Sequence, residues 1–368
     1  MKYIHIPKIL KIDFDKPVPF KQQIAVTFTV LIISCLLFTV VYFQQLLSGN
    51  IATETERETK TEASGSEVPT GAEGSTVTSS EPDEAQQSDS SKNSEVSEVS
   101  EADAETLGSM TSVSKSYDDI HYGELVLVNK DYSCHSDGEN VESIFETKSD
   151  SYVVTDRYVS LDTSIIGYVN SMLDDFYEIY GATDIMIACG YRSYDTQVGL
   201  FNEEINSVGT QTAEQWVAPP GYSEHQTGYV FDLDLNIDGG NGIDYSGEGN
   251  YAWINEHCSD YGFIIRYPAG KEDITGYSAE PWHFRYVGIP HAQYISDNNI
   301  TLEEYFDIIY KHKPDNPALM EDHSGCRWCV YFVEADEARD TQIPVPENYD
   351  YSISGDNCSG FIVTVKLG

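Results

Sequence analysis

Positive charge is what this chain has least of. Its 368 residues carry 21 Lys and Arg against 61 Asp and Glu, a formal net charge of -40. Proteins that hold nucleic acid neutralise phosphates with clusters of Lys and Arg, so this balance excludes a general nucleic-acid partner. Apolar residues are also scarce, at 40%, in a chain too long for one small domain, which places part of it outside any core. The shortage has an address. Residues 53–116 are mostly Ser, Thr, Glu, Ala and Gly, with almost no aromatic or branched apolar side chains. Such a segment cannot bury enough surface to offset the entropy of ordering. A disordered linker over 44–116 is the expectation.

Charge is missing altogether from residues 24–43, an apolar run long enough to cross a bilayer as a helix. Lys2, Lys8, Lys11, Lys16 and Lys21 precede it and an acidic segment follows it. The positive-inside rule therefore puts residues 1–23 in the cytoplasm and everything beyond Gln44 outside. No clear small-x-small cleavage site follows the run, which favours an uncleaved single-pass anchor over a signal peptide. Of seven cysteines, Cys35 falls in this span and six lie beyond it. In an exported region they permit disulfides, without indicating which pair.

From Tyr117 the composition becomes globular. Residues 123–130 read as a short apolar strand, and 161–180 as a helix with Ile166, Val169, Met172, Leu173, Phe176 and Ile179 at helical spacing. Residues 184–190 read as a buried strand ending at a glycine, followed by a helix capped by Ser193. Residues 229–236 alternate with period two, so Asp232 and Asp234 share one face while Phe231, Leu233 and Leu235 take the other. A helix over 252–261 and a strand over 283–287, with Pro281 interrupting pairing just before it, complete the pattern. Strands and helices mix without repeated strand-helix-strand units. The fold class expected is α+β, a compact domain over 117–312 with a small antiparallel sheet flanked by helices. Residues 313–368 read as a small β appendage, with strands near 328–333 and 360–365 and a loop through Ile343-Pro-Val-Pro.

Chemistry concentrates in two short segments, Ser223-Glu-His-Gln-Thr-Gly-Tyr-Val-Phe-Asp232 and Glu280-Pro-Trp-His283. His225, Asp232 and His283 offer three zinc ligands, leaving a fourth position for a water whose pKa falls toward about 7. Glu280, close in sequence to His283, is placed to act as general base. Arg192 offers a planar fork of donors for an oxyanion or a carboxylate. His323, Cys326, Cys329 and Cys358 form a second possible set of metal ligands, with disulfides as the commoner use outside a membrane. Asp234, Asp238 and Asp244 do not follow the calcium-loop pattern and read as a solvated loop.

The combination Ser223-x-His225-x6-Asp232 and Glu280-x-x-His283, preceded by Gly190-Tyr-Arg-Ser-Tyr-x-x-Gln197, resembles the VanY-type D-alanyl-D-alanine carboxypeptidases, zinc peptidases acting on peptidoglycan. The likeness spans roughly 123–309. It implies one catalytic zinc ion on His225, Asp232 and His283, Glu280 as base, and Arg192, Gln197 and Ser223 holding the end of a stem peptide. Tyr229 stands where the family often has a small residue, which bears on pocket shape. The function expected is a membrane-anchored, extracytoplasmic carboxypeptidase removing a terminal D-amino acid from peptidoglycan stem peptides. An endopeptidase or dipeptidase on the same scaffold, or a non-catalytic wall-binding module, are the alternatives.

Overall fold

The computed structural model describes residues 97–98, 107–236 and 243–368. The expected membrane span, most of the linker, and Asp238 of the acidic loop lie outside the described residues. Among the described residues no helix is long and apolar enough to cross a membrane.

The helix expected over 161–180 begins only at Ile166, because Ser160–Asp162 is a strand, and Ile179 of its apolar spacing is exposed. Helix Ile166–Tyr180 buries Val169, Met172, Leu173 and Phe176 on one face. It stops at Gly181, whose left-handed φ of 64° lets its N–H return to the Tyr177 carbonyl. That buried face lies on a six-stranded sheet in the order Val153–Val154, Ile185–Cys189, Val230–Leu235, Glu280–Tyr286, Phe263–Tyr267, with Ile243–Asp244 also pairing Val230–Leu235. Phe231, Leu233, Ile187 and Phe284 meet the helix in one apolar cluster.

The sheet is mixed, not purely antiparallel, because Val153–Val154 runs parallel to Ile185–Cys189. Two expected strands also change. The strand expected over 283–287 begins earlier, at Glu280, and its pairing with Phe263–Tyr267 is irregular between Glu280 and Phe284. Pro281 sits inside that irregularity, where its missing N–H breaks no regular ladder. Residues 123–130 bury Leu125, Val126, Leu127 and Val128 but form no strand. Their backbone groups are met one at a time instead. Leu125 N–H donates to Ser354 Oγ, Leu127 N–H to the Asp356 carbonyl, and Arg285 and Asn357 donate to the carbonyls of Glu124, Val126 and Leu127.

The C-terminal residues form a five-stranded antiparallel sheet, in the order Ser97–Glu98, Ala318–Glu321, Arg327–Glu334, Gly360–Lys366, Tyr351–Gly355. It is buried on both faces, each against a different apolar cluster. Val330, Phe332 and Ile362 join a cluster with helices Ile289–Asp297 and Leu302–Ile309 and with Ile264 and Val287. Cys329, Tyr331, Phe361 and Val363 face a different cluster with Ile343, Val345, Leu107 and Ile120.

Two further expectations fail here for one reason. Residues 110–115 were expected in the disordered linker and 343–346 in a loop, yet Met110–Lys115 and Thr341–Pro346 pair with each other over their whole length. Neither has a strong strand signature alone; each gains its partner only in the folded chain. The described residues all fall in one compact unit.

Candidate active site

Asp232 sits on the central strand of the catalytic sheet. Directly across one ladder it faces His283, and across the other it faces Cys189. Sheet register therefore brings together side chains that are distant in sequence. His225 arrives from a different direction, on a single 3-10 turn, Glu224–Thr227, that ends at Gly228. Gly228 has a φ of 82°, and a Cβ there would stand 2.7 Å from the Val141 side chain, so only glycine can make the step from turn to strand.

The donor atoms converge. His225 Nδ1 lies 2.7 Å from the Gly190 carbonyl and donates to it, which leaves the lone pair on Nε2, 3.2 Å from Asp232 Oδ2. His283 Nδ1 lies 3.2 Å from Asp232 Oδ1 and 3.3 Å from Glu280 Oε2. Yet Asp232 Oδ1 is buried without a hydrogen-bond partner. The imidazole and the carboxylate are close but not aimed at each other. Ligand atoms about 2.0–2.2 Å from a tetrahedral ion stand about 3.3 Å apart, so this spacing fits a zinc ion held between them. Cys189 also lies near His225 and Asp232 with ligand-like spacing. Its sulfur, however, is on the Nδ1 side of His225, 3.7 Å away, and accepts from Arg192 Nη2 at 3.2 Å. His283 is therefore the better third ligand.

Electrostatics agree with that reading. Burial, the largest influence on His225, and the nearby Arg192 disfavour its charged form, but Asp232 and Cys189 outweigh them and hold the metal-free imidazole up at about 9. Burial would raise the Asp232 carboxyl, and the two histidines instead hold it well below the usual carboxylate range.

The other expected residues fall around the same cleft of about 180 Å³, which Arg192, Ser223, His225, Asp232, Glu280 and His283 all line. Arg192 follows Gly190, where a Cβ would stand 2.3 Å from the Ser160 carbonyl. Its backbone N–H donates to the His225 carbonyl, tying the two loops. Ser193 caps the next helix, Tyr194–Val208, by accepting from Thr196 N–H. Gln197 on that helix is buried behind Arg192. It accepts from Arg192 Nη1 at 2.8 Å and donates to the Ala218 carbonyl at 2.7 Å, so what it touches in this structure is the arginine and the cleft wall. Tyr229 lines a neighbouring cavity with His121 and Asp162 and is not part of the cleft lining, so its size does not shape the pocket.

Sequence reasoning passed over several residues. Tyr267, Tyr277, Trp216 and Trp282 supply cleft walls. Below the site, Glu224 joins the fully buried Arg266 and Arg285 at 2.9 and 2.8 Å, and Arg266 also pairs with Glu303. A signal existed: each arginine interrupts an apolar strand, Phe-Ile-Ile-Arg-Tyr267 and His-Phe-Arg-Tyr-Val287, and an arginine there is almost never buried unpaired.

Comparison with known proteins gives concordant results. A family profile described as "VanY: D-alanyl-D-alanine carboxypeptidase" matches residues 160–289. A D-alanyl-D-alanine carboxypeptidase of Enterococcus faecium is 31% identical over 253 residues, covering 68% of this chain and 77% of the relative. Among solved structures, the vancomycin-resistance D,D-dipeptidase VanXYg, bound to a D-Ala-D-Ala phosphinate analogue, aligns with a TM-score of 0.64 at 31% identity. That alignment covers 70% of this chain and all of the other. A D,D-pentapeptidase VanY from a VanB-type cassette, in complex with Zn(II), is 30% identical with a TM-score of 0.40, covering 50% of this chain and 98% of the other.

Proposed function

The chain belongs to the VanY family of zinc-dependent D-alanyl-D-alanine carboxypeptidases, and from that premise we propose that it removes a terminal D-alanine from peptidoglycan stem peptides outside the cell membrane. One observation carries the reading: Arg192 lines the same cleft as the converging His225, Asp232 and His283 and the buried Glu280. A charged donor fork next to a hydrolytic centre suits a substrate that ends in a free carboxylate.

Zinc held by His225 Nε2, Asp232 and His283 Nδ1 would polarise the scissile carbonyl and lower the pKa of a water toward about 7. Glu280 takes a proton from the attacking water as it adds to the amide carbon, and delivers it to the leaving amine as the C–N bond breaks. Arg192 is preorganised by Gln197 and by Cys189 Sγ, so it binds carboxylate or developing oxyanion without first having to order itself. Ser223 offers a hydroxyl at the cleft wall beside His225. The tyrosine and tryptophan walls limit water around the reacting atoms.

Incubation of the zinc-loaded chain with a stem pentapeptide ending in D-Ala-D-Ala tests this. Loss of one alanine mass is the expected result, and an unchanged peptide refutes the reading. The likeness to VanXYg favours a second activity, cleavage of free D-Ala-D-Ala, which the same assay separates by substrate. Anchoring by residues 24–43 rests on hydropathy and the flanking lysines. Protease added outside intact cells should remove the catalytic region if the proposed orientation is right.

A further inference from the structure

Beneath the cleft, Glu224 is fully buried and uses its two oxygens unequally. Oε1 receives Arg266 Nε at 2.9 Å and Arg285 Nη1 at 2.8 Å. Both arginines are otherwise fixed. Arg266 reaches Glu303 through two bonds of 3.0 and 2.6 Å, and Arg285 donates to the carbonyls of Glu124, Val126 and Tyr286. Oε2, by contrast, is buried with no hydrogen-bond partner. It lies 3.8 Å from His283 Nε2, which is also buried and also without a partner.

Two buried orphans of complementary kind thus face each other across a gap slightly too long for a hydrogen bond. A histidine that ligates through one nitrogen keeps its proton on the other, and that N–H usually goes to a carboxylate that sets the tautomer and the ring angle. Tyr267 and His225 pack against the His283 ring at 4.8 and 5.0 Å between centroids, so the ring has little room to turn elsewhere. We infer that Glu224 is the positioning residue of His283: it is the acceptor for the Nε2–H and so leaves the Nδ1 lone pair for the metal. This rests on the zinc site proposed above. The two arginines hold the carboxylate in place, which connects the metal ligand to helix Leu302–Ile309 through Glu303.

The test uses the detergent-solubilised full chain and reads the zinc dissociation constant by chelator competition, with thermal melting of the metal-free protein beside it. Glu224→Gln should weaken zinc binding about 10- to 100-fold. Nitrogen NMR of the zinc-loaded wild type should find the His283 proton on Nε2, with its signal shifted in the variant. Glu303→Gln removes the other carboxylate on Arg266 without touching the ring; it should lower the melting temperature and leave zinc affinity where it was. Should Glu224→Gln not fold, Glu224→Asp keeps the charge for the arginines but draws the carboxylate back from His283, and should weaken zinc equally. Wild-type zinc affinity in the Glu224 variant, or equal loss in Glu303→Gln, overturns the inference. Failure of the wild type to bind zinc more tightly than His225→Ala would instead overturn the metal site itself.

Discussion

Two regions of this protein hold the residue types that zinc prefers, and they are built in opposite ways. At the cleft, His225, Asp232 and His283 come from a turn and two neighbouring strands and point at a common place. Near the C-terminal sheet, His323, Cys326 and Cys329 are close in sequence, but with Cys358 they form no converging set of donors. His323 bonds Asp260 through Nδ1 and Asp297 through Nε2. Cys329 is buried in an apolar cluster and burial pushes its thiol up to about 12. The Cys358 thiol is likewise pushed up to about 12, first by burial and then by Asp356. No grouping of metal-holding geometry forms there, and no disulfide links any of the six described cysteines. Ligand chemistry is thus a matter of unsatisfied donors converging, and short spacing in sequence is a poor substitute for it.

The contrast can be broken in graded ways. His225→Ala should abolish zinc binding and hydrolysis together, whereas retained zinc at one ion per chain would move the metal site elsewhere. Glu280→Ala should keep the metal and lose about 10²- to 10⁴-fold in rate, as expected for a general base. Full activity of that variant would end the proposed mechanism. Arg192→Lys keeps the charge but loses the fork, and kcat/KM for a peptide with a free carboxylate should fall about 10- to 100-fold, the worth of a charge-assisted hydrogen bond. A peptide amidated at its C-terminus should lose much less on the same substitution.

On the other side, Cys329→Ala and Cys326→Ser should leave the zinc content at one ion, with a stability loss of about 1 kcal/mol for the buried site only. A drop in metal content would restore the second centre. The smallest effect belongs to His323. Burial opposes its charge, but hydrogen bonds to Asp260 and Asp297 prevail and raise its pKa. A raised histidine stabilises the fold fully below its unfolded pKa of about 6.5 and loses that contribution as pH rises through the folded value. The melting temperatures of wild type and His323→Gln should therefore differ at pH 6 and converge as pH rises past the raised value, with under about 1 kcal/mol at stake for so exposed a pair. A difference that grows with pH would contradict the assignment.

What could be read in advance was local. Helix Ile166–Tyr180, strand Ile185–Cys189, the Ser193 cap and the alternation of Val230–Leu235 each follow from spacing within a few residues. The expected site residues could be read as a set because their types and order carry the chemistry. Asp232 opposite His283 was another matter, since register depends on the partner strand. So was Glu224, which stands inside the motif but shows its use only when two distant arginines close on it. The paired strands Met110–Lys115 and Thr341–Pro346 escaped for the same reason: a pairing between residues more than two hundred positions apart leaves no trace in either segment.

The strandless segment at 123–130 gives this long-range dependence a direction in time. Leu125 N–H waits for Ser354, at a sequence separation of 229, and the Leu127 carbonyl waits for Asn357. A ladder could form as soon as a neighbouring strand left the ribosome; these bonds cannot. On a chain made from its N-terminus, Arg285 has its acceptors at Glu124, Val126 and Tyr286 as soon as it emerges, whereas the bonds to Ser354, Asp356 and Asn357 become available only about seventy residues later. The bonds that fix this segment therefore become available in two instalments, those from Arg285 first and those from residues 354–357 last.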